Sequence, residues 1–170
     1  CSFTSYPIAS WAKRVDSYLD ALEREIEFAA VKFAGRHLNS IYIGGGTPTT
    51  LEPYQLDRLI RKIKCSFDLS DCLEFTVEAG RPDSITYEKL KVLRQHGISR
   101  ISINPQTMKQ QTLDIIGRHH TVDDTIQSFK LARELGFDNI NMDLIMGLPE
   151  ETIDDVRHTM ELVKELAPDN

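Results

Sequence analysis

The residues best suited to chemistry in this chain fall where apolar runs end. Ser40-Ile41-Tyr42-Ile43 leads into Gly44-Gly45-Gly46-Thr47-Pro48, and Phe75-Thr76-Val77 leads into Glu78. Ile101-Ser102-Ile103 leads into Asn104-Pro105-Gln106, and Ile140-Asn141-Met142 into Asp143. Three glycines without Cβ atoms let backbone N–H and C=O groups approach a polar ligand, and Pro48 stiffens the exit of the turn. Two acids, an amide and a bare backbone suit a ligand carrying an amine, a carboxylate and hydroxyls. Arg118 adds a fixed cation that can grip a carboxylate through two parallel bonds. Taken singly, each has another explanation: an unliganded glycine turn, a solvated acid at Glu78, a turn amide at Gln106, and at Asp143 a partner for a lysine or arginine. Their repeated placement at strand ends makes the set a candidate site.

Such placement needs elements that deliver the strand ends to one rim. Ser10 is a candidate cap for a first helix with apolar positions Trp11, Val15, Leu19, Leu22, Ile26, Ala29 and Phe33, closed by Gly35. Pro53 opens a second helix carrying Leu56, Leu59, Ile60 and Ile63. In the strand that follows, Leu73, Phe75 and Val77 share one face and Glu74, Thr76 and Glu78 the other. A third helix over 86–96 uses Leu90 and Leu93 and ends at Gly97, and Ile101 and Ile103 alternate with Ser102 and Asn104 in the third strand. A short helical turn through Leu113 and Ile116 reaches Gly117-Arg118-His119-His120, and Thr121 with Asp124 starts a helix using Ile126, Phe129 and Ala132. The fourth strand, 139–145, sets Asn139, Asn141 and Asp143 against Ile140, Met142 and Leu144. Thr152 and Asp155 cap a last helix with Val156, Met160 and Val163, which stops at Pro168.

Helices alternating with strands imply a parallel α/β sheet. One polar face on every strand is difficult to place in an open sheet covered on both sides, whereas a curved barrel turns that face into an interior channel. The expected fold is therefore an incomplete (β/α) TIM-like barrel of about four parallel strands with flanking helices, its active site on the rim at the strand C-termini. Gly97-Ile-Ser-Arg-Ile-Ser-Ile and Gly136-Phe-Asp-Asn-Ile-Asn-Met repeat one glycine-to-strand pattern, as stacked helix–strand units should. Since a closed eight-stranded barrel takes about 250 residues, residues 1–170 read as a fragment of a single core domain, truncated at both ends and leaving two open sheet edges.

Composition excludes several classes. A net charge of −6 without a dense basic cluster argues against nucleic acid. No apolar run is long enough for a membrane span and no signal-peptide pattern is present, which points to the cytoplasm. Three cysteines do not form a disulfide framework. Cys65 and Cys72 read as packing residues, and His119 with His120 lacks the spacing of a metal pair; His119 reads as part of the Gly-Arg-His turn.

Ile43-Gly44-Gly45-Gly46-Thr47-Pro48, Glu78, Gln106, Gly117-Arg118-His119 and Asp143-Leu144-Ile145-Met146-Gly147-Leu148-Pro149 occur in the order found in radical S-adenosylmethionine (SAM) enzymes of the oxygen-independent coproporphyrinogen III oxidase type, which this chain resembles over nearly its whole length. Cys1–Pro7, Ser102–Met108 and Asn139–Asp143 are similar to the bacterial coproporphyrinogen dehydrogenase branch. The resemblance implies that Cys1 is the last cysteine of a Cys-x3-Cys-x2-Cys loop holding a [4Fe–4S] cluster, so the complete protein carries that cluster while this chain alone is expected to lack both it and activity. It implies S-adenosylmethionine as cofactor, with Gly44, Gly45, Gly46 and Thr47 toward its amino group, Arg118 toward its carboxylate, and Glu78, Gln106 and Asp143 among the other contacts. The implied reaction is the oxidative decarboxylation of coproporphyrinogen III to protoporphyrinogen IX in haem biosynthesis, with a tetrapyrrole substrate and an electron donor as partners. Phe3 departs from the pattern: many oxidases carry a further cysteine there, as relatives that include a haem chaperone do not. A haem carrier on the same scaffold and a non-catalytic interaction domain are the alternatives.

Overall fold

The computed structural model describes residues 8–170, with side chains from Arg14 onward; Cys1, Phe3 and the Trp11 side chain lie outside the described residues. Helix α1 (Ile8–Lys32) is already helical at Ile8, so Ser10 sits inside its first turns instead of capping it. Leu19 is buried and Val15, Leu22 and Ile26 pack beside it. Phe33 lies past the helix end and is exposed, outside the stripe expected for it.

Four parallel strands follow, β1 (Ser40–Ile43), β2 (Glu74–Glu78), β3 (Arg100–Ser102) and β4 (Ile140–Asn141), lying side by side in chain order. Between them run α2 (Pro53–Ser66), α3 (Tyr87–Gln95), α4 (Gln110–Ile115) and α5 (Val122–Glu134), and α6 (Ile153–Leu166) follows β4. The register places Ile43, Val77, Ile101 and Ile140 in one row and aligns Glu78, Ser102 and Asn141 in the next. Phe75, Val77, Ile101, Ile103, Ile140 and Met142 face the helices and form one core with Leu56, Leu59, Ile60 and Ile63 of α2, Leu90 and Leu93 of α3, and Phe129 and Ala132 of α5. Burying a single such side chain contributes roughly 1.5–3 kcal/mol, which is why the strand pattern fixes the register so firmly. The opposite face is polar on every strand, and this arrangement of four parallel strands with flanking helices is the expected partial barrel.

The glycine repeat has a physical basis. Gly97 and Gly136 both adopt positive φ, +70° and +85°, just past a helix end. Ile98 N–H then bonds the Leu93 carbonyl and Phe137 N–H the Ala132 carbonyl, closing the helix and turning the next apolar residue inward. Arg118 N–H bonds the Leu113 carbonyl around Gly117 in the same way.

Other expectations need correction. Leu73 is 86% exposed because β2 begins one residue later, at Glu74. Thr159, not Met160, is the buried residue of α6; its hydroxyl accepts the Met108 N–H, while Met160 faces out. Cys65 is exposed, on the side of α2 away from its apolar stripe; Cys72 does pack against the core, its thiol donating to the Glu74 carbonyl. The far edge of β4 is not open: Asp169 N–H bonds the Ile140 carbonyl and Met142 N–H the Asn170 carbonyl.

β4 is much shorter than 139–145, and the reason lies in its neighbour. The ladder proceeds from Ile101 N–H to the Asn139 carbonyl and from Ile103 N–H to the Asn141 carbonyl, after which residue 105 should donate to Asp143. Residue 105 is proline and has no N–H. Gln106 supplies the donor instead, its N–H reaching the Asp143 carbonyl at 3.1 Å, with one extra residue accommodated as a bulge. Asn104 Oδ1 meanwhile accepts the Asp143 N–H at 3.2 Å. Gln106 adopts φ +67° in consequence, a conformation that costs a non-glycine residue roughly 1–3 kcal/mol.

Candidate active site

The rim is built from the loops leaving the four strands. After β1, Gly45 and Gly46 take φ +82° and +58° and leave their backbone bare. Glu78 closes β2, and its Oε2 accepts the Gly45 N–H at 3.1 Å, tying the first rim loop to the second strand. Gly44 is needed for close approach: a Cβ there would lie 2.2 Å from Tyr42 Cε1 and 3.0 Å from Glu78 Oε2. Thr47 is half-buried, and its carbonyl accepts from Thr50 N–H and Oγ1 at 2.9 and 2.7 Å, which fixes the exit of the glycine turn. The third strand ends in the Gln106 bulge; Gln106 is buried, and its carbonyl accepts the Ile145 N–H at 2.9 Å. Asp143, exposed at the end of β4, accepts from Asn141 Nδ2 at 2.9 Å.

Arg118 stands apart in its bonding. It is half-buried, and among the described residues no carboxylate is paired with its guanidinium. Burial and then the nearby Arg81 charge lower its pKa, Asp83 opposing them. Arg81 and Asp83 belong to the loop leaving β2, so Arg118 borders the same rim. Below the rim, the interior face carries a connected polar ladder: Thr76 Oγ1 donates to Glu74 at 2.8 Å, while Arg100 reaches Glu74 at 3.3 Å and Asn141 at 3.2 Å. Arg100 Nε is buried without a hydrogen-bond partner among the described residues. Tyr42 lies on this face as well, its phenol pushed up by burial first and then by the negative charges of Glu78 and Asp143.

The amino-acid sequence matches the radical SAM superfamily over residues 1–163. The chain belongs to that superfamily. It is 45% identical to the oxygen-independent coproporphyrinogen-III oxidase-like protein HemZ of Bacillus subtilis over 100% of this chain and 34% of that protein, and 44% identical to the heme chaperone HemW of Bacillus subtilis over 94% of this chain and 42% of that one. The structure superposes on coproporphyrinogen III oxidase (HemN) from Escherichia coli, a radical SAM enzyme, with a TM-score of 0.85 and 37% identity, covering 92% of this chain and 36% of that one. Within the superfamily this is thus a HemN/HemZ/HemW-type protein, and the chain spans about a third to two fifths of the length of the relatives it matches. The family implies S-adenosylmethionine and a [4Fe–4S] cluster in general.

Of the residues singled out in the sequence, Gly44–Thr47, Glu78, Gln106 and Asp143 converge on the rim, joined by the Glu78–Gly45 and Gln106–Asp143 bonds, and Arg118 borders them. Cys1 lies outside the described residues. Sequence reasoning overlooked Tyr42 and Arg100, although both occupy interior-facing positions by simple strand alternation. It also gave His120 no role of its own. His119 is exposed, whereas His120 is 1% exposed and among the described residues its two ring nitrogens make no well-formed hydrogen bond. A signal was available: His120 immediately precedes the Thr121–Asp124 capping box, a position that commonly packs against the residue four along the helix, here the fully buried Thr125. No helix among the described residues is long and apolar enough to cross a membrane.

Proposed function

We propose that the rim binds S-adenosylmethionine and that the whole protein acts on a tetrapyrrole, converting coproporphyrinogen III to protoporphyrinogen IX by oxidative decarboxylation. The observation that carries the cofactor reading is Arg118, a half-buried cation with no acid paired to it among the described residues, near Arg81 and Asp83 of the loop leaving β2, on a rim whose first loop is a glycine turn stripped of side chains. The residues fit the cofactor's groups. Arg118 suits the carboxylate, the Gly44–Thr47 backbone suits the amino group, and Glu78, Gln106 and Asp143 supply acceptors and an amide for the remaining polar atoms. Cys1 with two further thiolates would hold the cluster. When bound, the cofactor and reduced cluster supply one-electron hydrogen abstraction, chemistry that side chains alone lack. The chain's own part is to orient and enclose: Glu78 holds the glycine turn in place through Gly45, and the bulge at Gln106 presents a rigid third wall.

The haem carrier is the second reading, favoured by 44% identity to the chaperone HemW. Full-length protein with a reconstituted cluster, reductant and S-adenosylmethionine, incubated anaerobically with coproporphyrinogen III, separates the two by product analysis. Loss of two propionate carboxyl groups as CO2 is expected; haem binding without decarboxylation, by protein that still consumes reductant, would establish the carrier.

A further inference from the structure

Two unsatisfied groups face each other behind the rim. His120 is buried, yet among the described residues neither Nδ1 nor Nε2 makes a well-formed hydrogen bond. Leaving such a group unpaired is destabilising, and buried polar groups without partners are uncommon. The Pro105 carbonyl lies close enough to this imidazole to act on it as a hydrogen-bond acceptor, though the contact falls short of full hydrogen-bond geometry. That carbonyl belongs to the bulge, where the ladder has slipped by one residue, and among the described residues it accepts no backbone bond. Asp83, Arg118 and Asp124 are the charged groups around the ring. Burial, foremost among several influences, lowers the His120 pKa, so the neutral ring offers one N–H and one acceptor.

We infer that His120 is a positioning residue whose ring N–H closes onto the Pro105 carbonyl when the site is occupied, locking the Gln106 bulge and tying it to the loop that carries Arg118. The coupling is short and physical. His120 is two residues from Arg118, and Pro105 is bonded directly to Gln106, whose backbone N–H and C=O both bond the Asp143–Ile145 segment, beside the Asn104 side chain. Long or oblique hydrogen bonds in an unliganded site commonly tighten on binding. One imidazole thereby joins two rim loops that the chain otherwise connects only through α4. It also helps Gln106 remain at a positive φ that no glycine relieves.

The inference rests on the cofactor reading for its occupant, but its test does not depend on catalysis. Amide hydrogen exchange is followed at Gln106 and Ile145 in the full-length protein, with and without S-adenosylmethionine, for wild type, His120→Gln and His120→Met. Gln and Met have similar volume, and only Gln retains an N–H donor. In the liganded state His120→Met should exchange about 5–10-fold faster at both amides, the ratio expected for one lost hydrogen bond, with Val77 and Ile101 unchanged and His120→Gln close to wild type. Equal exchange in all three proteins, or equal acceleration in both variants, would overturn the role assigned to the donor. If His120→Met does not fold, His120→Phe takes its place in the same comparison. Cofactor affinity measured by calorimetry for Gln106→Ala separates the two claims. Unchanged affinity there, alongside accelerated exchange in His120→Met, removes Gln106 from the cofactor site while leaving the His120–Pro105 link standing.

Discussion

Arg58 and Arg118 occupy two regions with contrasting electrostatics. Arg58, between α1 and α2, donates to Glu23 at 2.7 and 2.8 Å and also meets Asp20, and these bonds push its pKa upward. Lys62 pairs with Glu27 and the Tyr54 hydroxyl reaches Asp16 along the same helix pair. Arg58, Lys62 and Tyr54 are each matched across the seam, and these bonds hold the two helices in register. On the rim, Arg118 is half-buried with no paired acid among the described residues, Gln106 has backbone strain, and Gly44–Gly46 have no side chains. Groups already matched to one another have little capacity left for a ligand, whereas groups held half-buried and unmatched are poised for one. The comparison separates residues that hold the scaffold from residues that await an occupant.

The largest expected effect that could break this contrast is at Arg118. Arg118→Ala in the full-length protein should weaken S-adenosylmethionine binding by about 1.5–3 kcal/mol, the range for a charged hydrogen bond, while the thermal midpoint stays level or rises as the burial penalty on a lone cation disappears. Calorimetry and thermal unfolding measured together decide it; lost stability with unchanged affinity would make Arg118 a structural residue like Arg58. Glu78→Ala and Asp143→Ala should each reduce affinity by roughly 1–3 kcal/mol. Of the two, Glu78→Ala should also loosen the glycine turn, seen as faster exchange of the Gly45 amide, whose acceptor it removes. Arg58→Ala is the mirror experiment. Its thermal midpoint should drop, and drop less at high salt, where the wild-type pairs are already screened, with cofactor affinity unaltered.

The smallest effect is in pH dependence. His120 has a folded-state pKa depressed below its unfolded value by burial, which outweighs the opposing charge of Asp83. The neutral ring's stabilising contribution is therefore complete above about pH 6.5, the unfolded value, and is lost as pH falls from there toward the folded pKa. Denaturant titrations between pH 7.5 and pH 5 should show a shallower decline for His120→Gln than for wild type. An unchanged slope would mean that another group dominates that window.

Much of this architecture was legible because helix and strand periods differ. The stripe Leu56, Leu59, Ile60 and Ile63 is fully or almost fully buried as read, and the alternation of Phe75 and Val77 with Glu74, Thr76 and Glu78 sorted the two sheet faces correctly. Candidate rim residues could be chosen because a strand end is announced by glycine or proline. The interruption of β4 was harder to see: it arises in a neighbouring strand, where Pro105 withholds a donor, and no pattern within 139–145 reveals it. Leu73 and Met160 failed for a related reason, since periodicity assigns a face without saying where the element starts or what packs opposite. Arg100 was legible within its own strand, where it alternates with Ile101, and its register with Thr76 places it on the interior face.

The sheet order β1-β2-β3-β4 has a consequence for synthesis. Each strand docks on the edge of the one made just before it, so no later segment has to be inserted between strands that have already paired. A nascent chain can consolidate unit by unit as it emerges, with only one freshly made edge awaiting a partner at any moment. The bonds of Asp169 and Asn170 to β4 mark the same step at the fourth edge. Vectorial growth of this kind keeps the most recently exposed strand close to the residues that will cover it, limiting the time during which an unpaired edge could recruit a strand from another molecule.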